Sequence, residues 1–231
     1  MDFSRFTHLT FDCYGTLIDW ETGILRALRP VLAGRLRPVP SDDEVLGLYA
    51  ALEAAIEAGP YRSYREVLEQ VVRGFGERLS FVASAAEAAA LPESLGDWLP
   101  FPDTVDSLQR LARVFKLAII SNVDDDLIAA TLARLGVPFA DVITAQQARS
   151  YKPSPGNFQL AMRRLAVPAA QILHVAQSLY HDVAPARKLG LATVWVNRRK
   201  GRSTPGATPP ATAVPDLEVP DLKTLADLAV R

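Results

Sequence analysis

The feature that most constrains this fold is a long helical block placed directly after one short strand. Leu9 to Asp12 is a β-prone run that ends in a turn at Gly15. From Ile18 to Trp98 the apolar residues follow helical spacing, as in Tyr64 to Leu79, and no strand signal interrupts them. Because a block of roughly eighty residues is too long for a connection, we expect it to form a lobe of its own.

The rest of the chain alternates between helices and strands. Such alternation predicts a parallel sheet with helices on both faces. The predicted strands are 116–121, 141–144, 172–176 and 192–196, and the predicted helices are 105–113, 125–135, 156–166 and 183–189. We therefore predict an α/β fold, in which a doubly wound, Rossmann-like core of residues 1–17 and 99–231 carries an inserted helical cap of residues 18–98.

Composition excludes several classes of function. The 231 residues carry a formal net charge of −1, which gives no reason to expect a nucleic acid or an anionic membrane as partner. The longest apolar runs are far shorter than the roughly 20 residues of a membrane-spanning helix. Cys13 is the only cysteine, so neither an internal disulfide nor a cysteine-based metal site can form. These features, and the lack of a signal-peptide pattern, favour a cytoplasmic protein with a small-molecule substrate; a homodimer stays open.

Polar side chains stand where four of the predicted strands end, which is where doubly wound sheets place their active sites. A carboxylate at such a point can act as a covalent nucleophile, and a hydroxyl, an amide and backbone N–H groups can hold an anion. Each position taken alone is explained more simply as a turn, a cap or a solvated charge. The residues are Asp12, then Ser121 and Asn122, then Lys152, then Gln177, Ser178 and Asp182.

The order of these positions changes the interpretation. The segments DCYGT, SN, KPSP and SLYHD, each after a predicted strand, resemble the four signature motifs of the haloacid dehalogenase superfamily. The resemblance covers the whole chain, including the cap. It implies that Asp12 is the nucleophile and that Ser121 binds an anion. It also implies that Lys152 is the cation that orients and neutralises the negatively charged groups of the site, and that Asp182 is the second carboxylate.

Two positions distinguish the branches of this superfamily. Its phosphatases typically have a second Asp two residues after the nucleophile, where this chain has Tyr14, whose phenol is a poor proton donor at neutral pH. They also have an acidic ligand for Mg²⁺ where this chain has Gln177, a neutral amide. The pattern DxYGT resembles the type II L-2-haloacid dehalogenases. We therefore predict a metal-independent hydrolytic dehalogenase without cofactor, which converts small L-2-haloacids to 2-hydroxy acids.

The resemblance also suggests which groups contact the substrate. Enzymes of this type have a cap arginine, and a rough match of the cap helices places Ala50 at that position. Arg62 and Arg65 are the alternatives, although solvated charges on a helix face explain both more simply. Gln177 and Leu179 replace a serine and an asparagine of the well-studied dehalogenases, so the water-positioning groups differ. The predicted substrate-binding residues are Tyr14, Thr16, Ser121, Asn122, Gln177 and Ser178.

Other interpretations stay open at the level of sequence. The chain could be a Mg²⁺-dependent phosphatase for a small phosphate ester, or a non-catalytic binding protein with the same fold. Cys13 and His174 are expected to be packed residues, and His181, beside Asp182, is a candidate to tune that carboxylate. Three aromatic residues either form an apolar wall at the site or only pack in the core: Trp20, Tyr14 and Phe101. The segment from Gly201 to Pro215 is expected to be an exposed linker.

Overall fold

A computed structural model describes residues 1–230 and shows a parallel sheet of six strands in the order β3-β2-β1-β4-β5-β6. This order runs outward in both directions from β1, which confirms the predicted doubly wound α/β fold. Every residue of β1 and β4 is buried, as expected for strands covered on both faces. The strands are β1 His8–Phe11, β2 Lys116–Ser121, β3 Asp141–Thr144, β4 Ile172–Ala176, β5 Ala192–Val196 and β6 Leu217–Val219.

Four helices follow β1 and pack against one another, α1 on α2 and α4, and α3 on α2 and α4. We call these helices the cap; its predicted boundaries at residues 18 and 98 stay a prediction. The helices are α1 Trp20–Arg35, α2 Asp42–Glu57, α3 Tyr64–Leu79 and α4 Ala85–Ser94. Three of them begin with a capping box, in which a serine and a glutamate three residues later satisfy free N–H groups: Ser41 with Glu44, Ser63 with Glu66, and Ser84 with Glu87.

The remaining helices belong to the α/β part of the chain. They are α5 Thr104–Leu111, α6 Asp125–Leu135, α7 Ala145–Ala148, α8 Gly156–Leu165, α9 Ala184–Lys188 and α10 Leu222–Ala229. The helix predicted at 183–189 is preceded by a π-helical turn, Leu179–Val183, which the periodicity could not indicate because it lasts a single turn. Within residues 1–230, no helix combines the length and apolar character needed to cross a bilayer.

The cap is anchored to the core through the first turn of α3. The buried Asp124, which precedes α6, accepts hydrogen bonds from the backbone N–H groups of Tyr64 at 2.9 Å and Arg65 at 3.0 Å. These N–H groups have no partner inside their own helix, so a carboxylate there also meets the positive end of the helix dipole. A core residue thereby fixes where the cap helix α3 begins.

The prediction of an exposed linker from Gly201 to Pro215 is wrong for its middle. Gly206, Ala207 and Thr208 are buried. The Ala207 N–H donates to the carboxylate of Glu21 on α1 at 3.0 Å. Gly206 has φ of +74°, and a Cβ there would collide with the same carboxylate, so the turn requires glycine. The composition indicated that the segment has few apolar side chains. It could not show that a backbone N–H of the segment would bind Glu21 and that its middle would be buried.

Candidate active site

Three of the predicted residues meet at the carboxyl edge of the sheet. The Nζ atom of Lys152 donates to Oδ1 of Asp12 at 2.9 Å, to Oδ1 of Asp182 at 2.7 Å and to the carbonyl of Ile120 at 2.8 Å. Only 1% of Lys152 is exposed. Burial alone would lower the pKa of Lys152, but the two carboxylates raise it above its ordinary value, so the ammonium stays charged. The structure thus joins the ends of β1, β2 and β4 through one cation.

Asp12 is held on both of its oxygens. Lys152 binds Oδ1, and the Thr16 hydroxyl donates to Oδ2 at 2.6 Å. Gly15, with φ of +94°, makes the turn that returns the chain toward Asp12. Burial raises the pKa of Asp12, while Lys152 and Thr16 act against that rise by stabilising the carboxylate. A carboxylate fixed in this way presents its free lone pairs in one defined direction.

Thr16 is not placed to contact a substrate. It is fully buried, and its hydroxyl also accepts the backbone N–H of Gln177 at 2.8 Å. Both of these hydrogen bonds are internal, so the prediction that Thr16 binds substrate is revised to the orientation of Asp12. The backbone carbonyl of Gln177 accepts from the Trp195 indole at 2.8 Å, and its side-chain carbonyl accepts from the Thr208 hydroxyl at 3.2 Å.

Asp182 has a partner that the sequence did not reveal. Nε2 of His174 lies 3.0 Å from Oδ1 of Asp182, and Nδ1 lies 2.9 Å from the Thr10 hydroxyl. Because an ionised Asp182 carboxylate can only accept, Nε2 carries the hydrogen and donates to it. Burial would raise the pKa of Asp182, but Lys152 and His174 hold it below its ordinary value. His174 was expected to be a packed strand residue; it is packed, and it also fixes Asp182.

The Asn122 side chain holds the Lys152 segment in place. Its amide donates to the Lys152 carbonyl at 3.0 Å, and its carbonyl accepts the Lys152 N–H at 2.8 Å. The same amide also lies 3.3 Å from a carboxylate oxygen of Glu57 on α2. Asn122 therefore positions the lysine and reaches the cap, in addition to lining the cavity.

A cavity of about 30 Å³ lies between these groups and the cap. Of the six residues predicted to bind substrate, five line it and Thr16 does not. Trp20 also lines it, while Phe101 packs beneath the Arg198 guanidinium instead. The core contributes Asp12, Tyr14, Ser121, Asn122, Lys152, Gln177, Ser178, His181, Asp182 and Thr208, and the cap contributes Trp20, Glu53, Glu57 and Tyr64.

Tyr14 has its hydroxyl engaged elsewhere. The phenol oxygen lies 3.0 Å from the Thr131 hydroxyl on α6, and both residues are buried. Burial raises the pKa of Tyr14 well above its ordinary value. The position two residues after Asp12 therefore offers an aromatic surface and no acidic proton.

The cap carboxyls Glu53 and Glu57 were missed by sequence reasoning. They lie one turn apart on α2 and share a face with Tyr49, a spacing that could have indicated an acidic pair on a buried stripe. The Tyr49 and Tyr64 hydroxyls donate to Oε1 of Glu53 at 2.6 and 2.7 Å. Burial raises the pKa of Glu53 to about 7, against the effect of the two phenols, and raises that of Glu57 well above its ordinary value.

Neither arginine considered for the cap lines the cavity. Arg65 pairs with Asp126 at 2.9 Å, and Arg62 is exposed. Ala50, the position matched to the usual cap arginine, is buried in α2. His181 does line the cavity, and burial lowers its pKa to about 4, so the ring is neutral at pH 7. Cys13 is a fully buried packed residue, as expected.

The two carboxylates at this sheet edge are already paired with a cation. Within residues 1–230, no three His, Cys, Asp or Glu side chains are grouped so that they could hold a metal ion. Asp12 and Asp182 share Lys152, and Gln177 contributes a neutral amide that is already bound to Thr208. Hard dications prefer several oxygen ligands that include free carboxylates.

Comparison with known proteins agrees with this geometry. A family model described as haloacid dehalogenase-like hydrolase matches residues 6–190. Haloacetate dehalogenase H-2 of Moraxella sp. (strain B) is 28% identical over 82% of this chain and 85% of its own length. The Escherichia coli 5-amino-6-(5-phospho-D-ribitylamino)uracil phosphatase YigB is 29% identical over 97% of this chain and 96% of its own length. The structure of L-2-haloacid dehalogenase from Xanthobacter autotrophicus superposes with a TM-score of 0.80 at 24% identity, over 96% of this chain and 98% of that one. With Asp12, Lys152 and Asp182 assembled at one sheet edge and the family model matching residues 6–190, the chain belongs to the haloacid dehalogenase-like hydrolases.

Proposed function

We propose that this hydrolase is a metal-independent dehalogenase that converts small L-2-haloacids to 2-hydroxy acids through an ester on Asp12. The observation that carries the proposal is the Tyr14 hydroxyl, which is bound to Thr131 and has a raised pKa. An alkoxide that leaves from phosphorus needs a proton from an acid, whereas a halide leaves as a stable anion. The position that supplies this proton in phosphatases supplies none here.

In the first step, a carboxylate oxygen of Asp12 attacks C2 of the substrate, and the carbon–halogen bond breaks. The halide leaves with the bonding pair, and C2 inverts. Lys152 and Thr16 fix the carboxylate before attack, which reduces the reorganisation that the step requires. Tyr14 and Trp20 surround the reacting carbon with aromatic surface, which favours attack by a charged nucleophile on a neutral carbon.

In the second step, water attacks the carboxyl carbon of Asp12. Asp182 accepts a proton from this water, and the proton passes to the leaving oxygen of the 2-hydroxy acid. One oxygen of the regenerated Asp12 then comes from water, and a second proton is released to solvent. The lowered pKa of Asp182 keeps it ionised and able to accept the proton, and His174 holds its orientation.

Ser121, Ser178 and the backbone N–H of Asn122 would hold the substrate carboxylate on the core side. The cavity of about 30 Å³ lies beneath residues of the cap. We therefore expect the cap to open for substrate and to close over it.

The test is halide release from L-2-chloropropionate and chloroacetate in EDTA, with Asp12→Asn as the inactive variant. Asp106→Asn, an exposed acid on α5, is the matched control. A single turnover in ¹⁸O-water should place the label in Asp12 and leave the first product unlabelled. Label that appears in the product but never in Asp12 would exclude the ester.

A phosphatase is the second candidate, because YigB matches nearly the whole chain. Hydrolysis of p-nitrophenyl phosphate with added Mg²⁺, measured beside halide release, decides between the two. Phosphate release that requires Mg²⁺, together with no halide release, would replace the dehalogenase proposal.

A further inference from the structure

The cap side of the cavity carries carboxyl groups where an anionic substrate would need a cation. Glu53 is 3% exposed and lines the cavity that contains Asp12. Glu57, one turn further along α2, lines it as well. Both glutamates therefore line the cavity that would hold the proposed substrate.

The charges around the cavity make two ionised cap glutamates incompatible with a bound haloacid anion. Lys152 is the one Lys or Arg among the lining residues that the structure describes, and Asp12 and Asp182 already share it. Ionised Glu53 and Glu57 would bring the formal charge of the lining to −3, before any substrate enters. Like charges this close in a space from which water is excluded repel strongly, and such groups neutralise by binding protons.

We propose that Glu53 and Glu57, as neutral carboxylic acids, complete from the cap side the site that Ser121, Ser178 and the Asn122 N–H form for the substrate's carboxylate, so that a haloacid anion is bound only when the cap is protonated. This proposal rests on the haloacid function proposed above. The two acids would do with O–H donors what a cap arginine does with N–H donors. Their protons would also keep the pocket from accumulating negative charge when the anion binds.

The hydrogen bonds define where the protons would sit. Oε1 of Glu53 already accepts two phenol hydrogens, from Tyr49 on α2 and Tyr64 on α3, so an acidic proton belongs on Oε2. Oε2 of Glu57 accepts from Asn122, and its Oε1 is buried without a hydrogen-bond partner among residues 1–230. An unpartnered buried oxygen is free to carry a proton and donate it to a ligand.

The groups around the two glutamates act in both directions. The two phenols stabilise ionised Glu53, whereas the negative charge of Asp12, which follows β1, opposes its ionisation. Glu57 meets Glu53 on its own helix and is opposed by Lys152 from the core. Desolvation is the largest influence on both glutamates, and it raises the pKa of each. The group nearest to titrating at neutral pH is therefore Glu53.

The test compares an anionic and a neutral substrate of similar size, chloroacetate and 2-chloroacetamide, from pH 5.5 to pH 9. For chloroacetate, kcat/KM should fall about tenfold per pH unit above roughly pH 7, because only protonated Glu53 accepts the anion. The amide should show no such fall. Glu53→Gln, which keeps a donor but cannot ionise, should abolish the fall in kcat/KM for chloroacetate at alkaline pH. The control Glu77→Gln, which replaces an exposed glutamate on α3, should retain this fall. A fall that persists in Glu53→Gln, or that is equal for both substrates, would overturn the proposal.

Binding gives a readout that does not depend on turnover. Asp12→Asn should bind chloroacetate with uptake of about one proton at pH 8, measured by calorimetry in two buffers of different ionisation enthalpy. Anion binding without proton uptake would refute the role of the cap acids. Absence of halide release in the wild type, together with proton-coupled anion binding, would instead refute the dehalogenase function and leave the cap acids as an anion site.

Discussion

Replacement of Lys152 by methionine should destabilise the fold in a manner that depends on pH. The ammonium makes hydrogen bonds of 2.7 to 2.9 Å with two buried carboxylates and one carbonyl. At such distances each ion pair has a Coulomb energy of about 6 kcal/mol at an effective dielectric constant of 20. Desolvation offsets much of this, and loss of one partner from a buried pair costs about 3 to 5 kcal/mol. We expect a loss in that range at pH 8.

The sign of the pH dependence follows from the carboxylates. In the wild type, the lowered pKa of Asp182 contributes stability that is present above its ordinary pKa of about 3.9 and is lost as the pH falls further. In Lys152→Met, Asp12 and Asp182 would bind protons in the folded state more readily than in the unfolded chain. The destabilisation should therefore be large at pH 8 and smaller at pH 5.

The measurement is urea unfolding followed by circular dichroism at both pH values. With a slope of about 2.5 kcal/mol per molar urea, the midpoint of Lys152→Met should fall by about 1.5 M at pH 8. Lys188→Met, an exposed lysine on α9, is the matched control and should shift little. Equal shifts for the two variants, or a loss for Lys152→Met that does not change with pH, would refute this account of the buried lysine.

Three further predictions test single contacts. Thr16→Val removes the hydrogen bond of 2.6 Å that the Thr16 hydroxyl donates to Asp12. It should lower kcat/KM for halide release about 10- to 100-fold, because a charge-assisted hydrogen bond contributes about 1.5 to 3 kcal/mol. An unchanged rate would contradict the role of Thr16 in orienting Asp12. Asp124→Ala removes the cap on α3 and should lower the melting temperature by about 2 to 4 °C, measured by calorimetry, because a helix cap contributes about 1 kcal/mol. Gly206→Ala should lower the melting temperature further than Gly136→Ala, since only the first glycine has a carboxylate in the space of its Cβ.

The strands could be predicted closely because their signals are local. Four predicted strands, at 116–121, 141–144, 172–176 and 192–196, match β2 to β5 residue for residue. Short apolar runs bounded by turn residues are typical of strands that are buried on both faces. Helix ends were less accurate, as in α5, because the last turn depends on local capping.

The site could be predicted only where a motif carries it. Asp12, Lys152 and Asp182 each stand in a recognisable segment after a strand, and the structure brings them together. His174 and Thr208 carry no motif, and their contacts with Thr10 and Gln177 join segments that are distant in sequence. Reading along the chain cannot show which distant side chains share a hydrogen bond.

The sequence by itself determined the α/β class and the inserted helical block, and its short motifs predicted Asp12 as the nucleophile, because periodicity and short motifs are properties of neighbouring residues. Only the tertiary structure decided what faces Asp12 across the cavity. Glu53 and Glu57 look like ordinary helix charges in sequence, but both line the cavity with Asp12, and Glu53 and the Oε1 atom of Glu57 are buried. Burial sets their pKa values, and burial is produced by contacts between segments that the sequence does not place together.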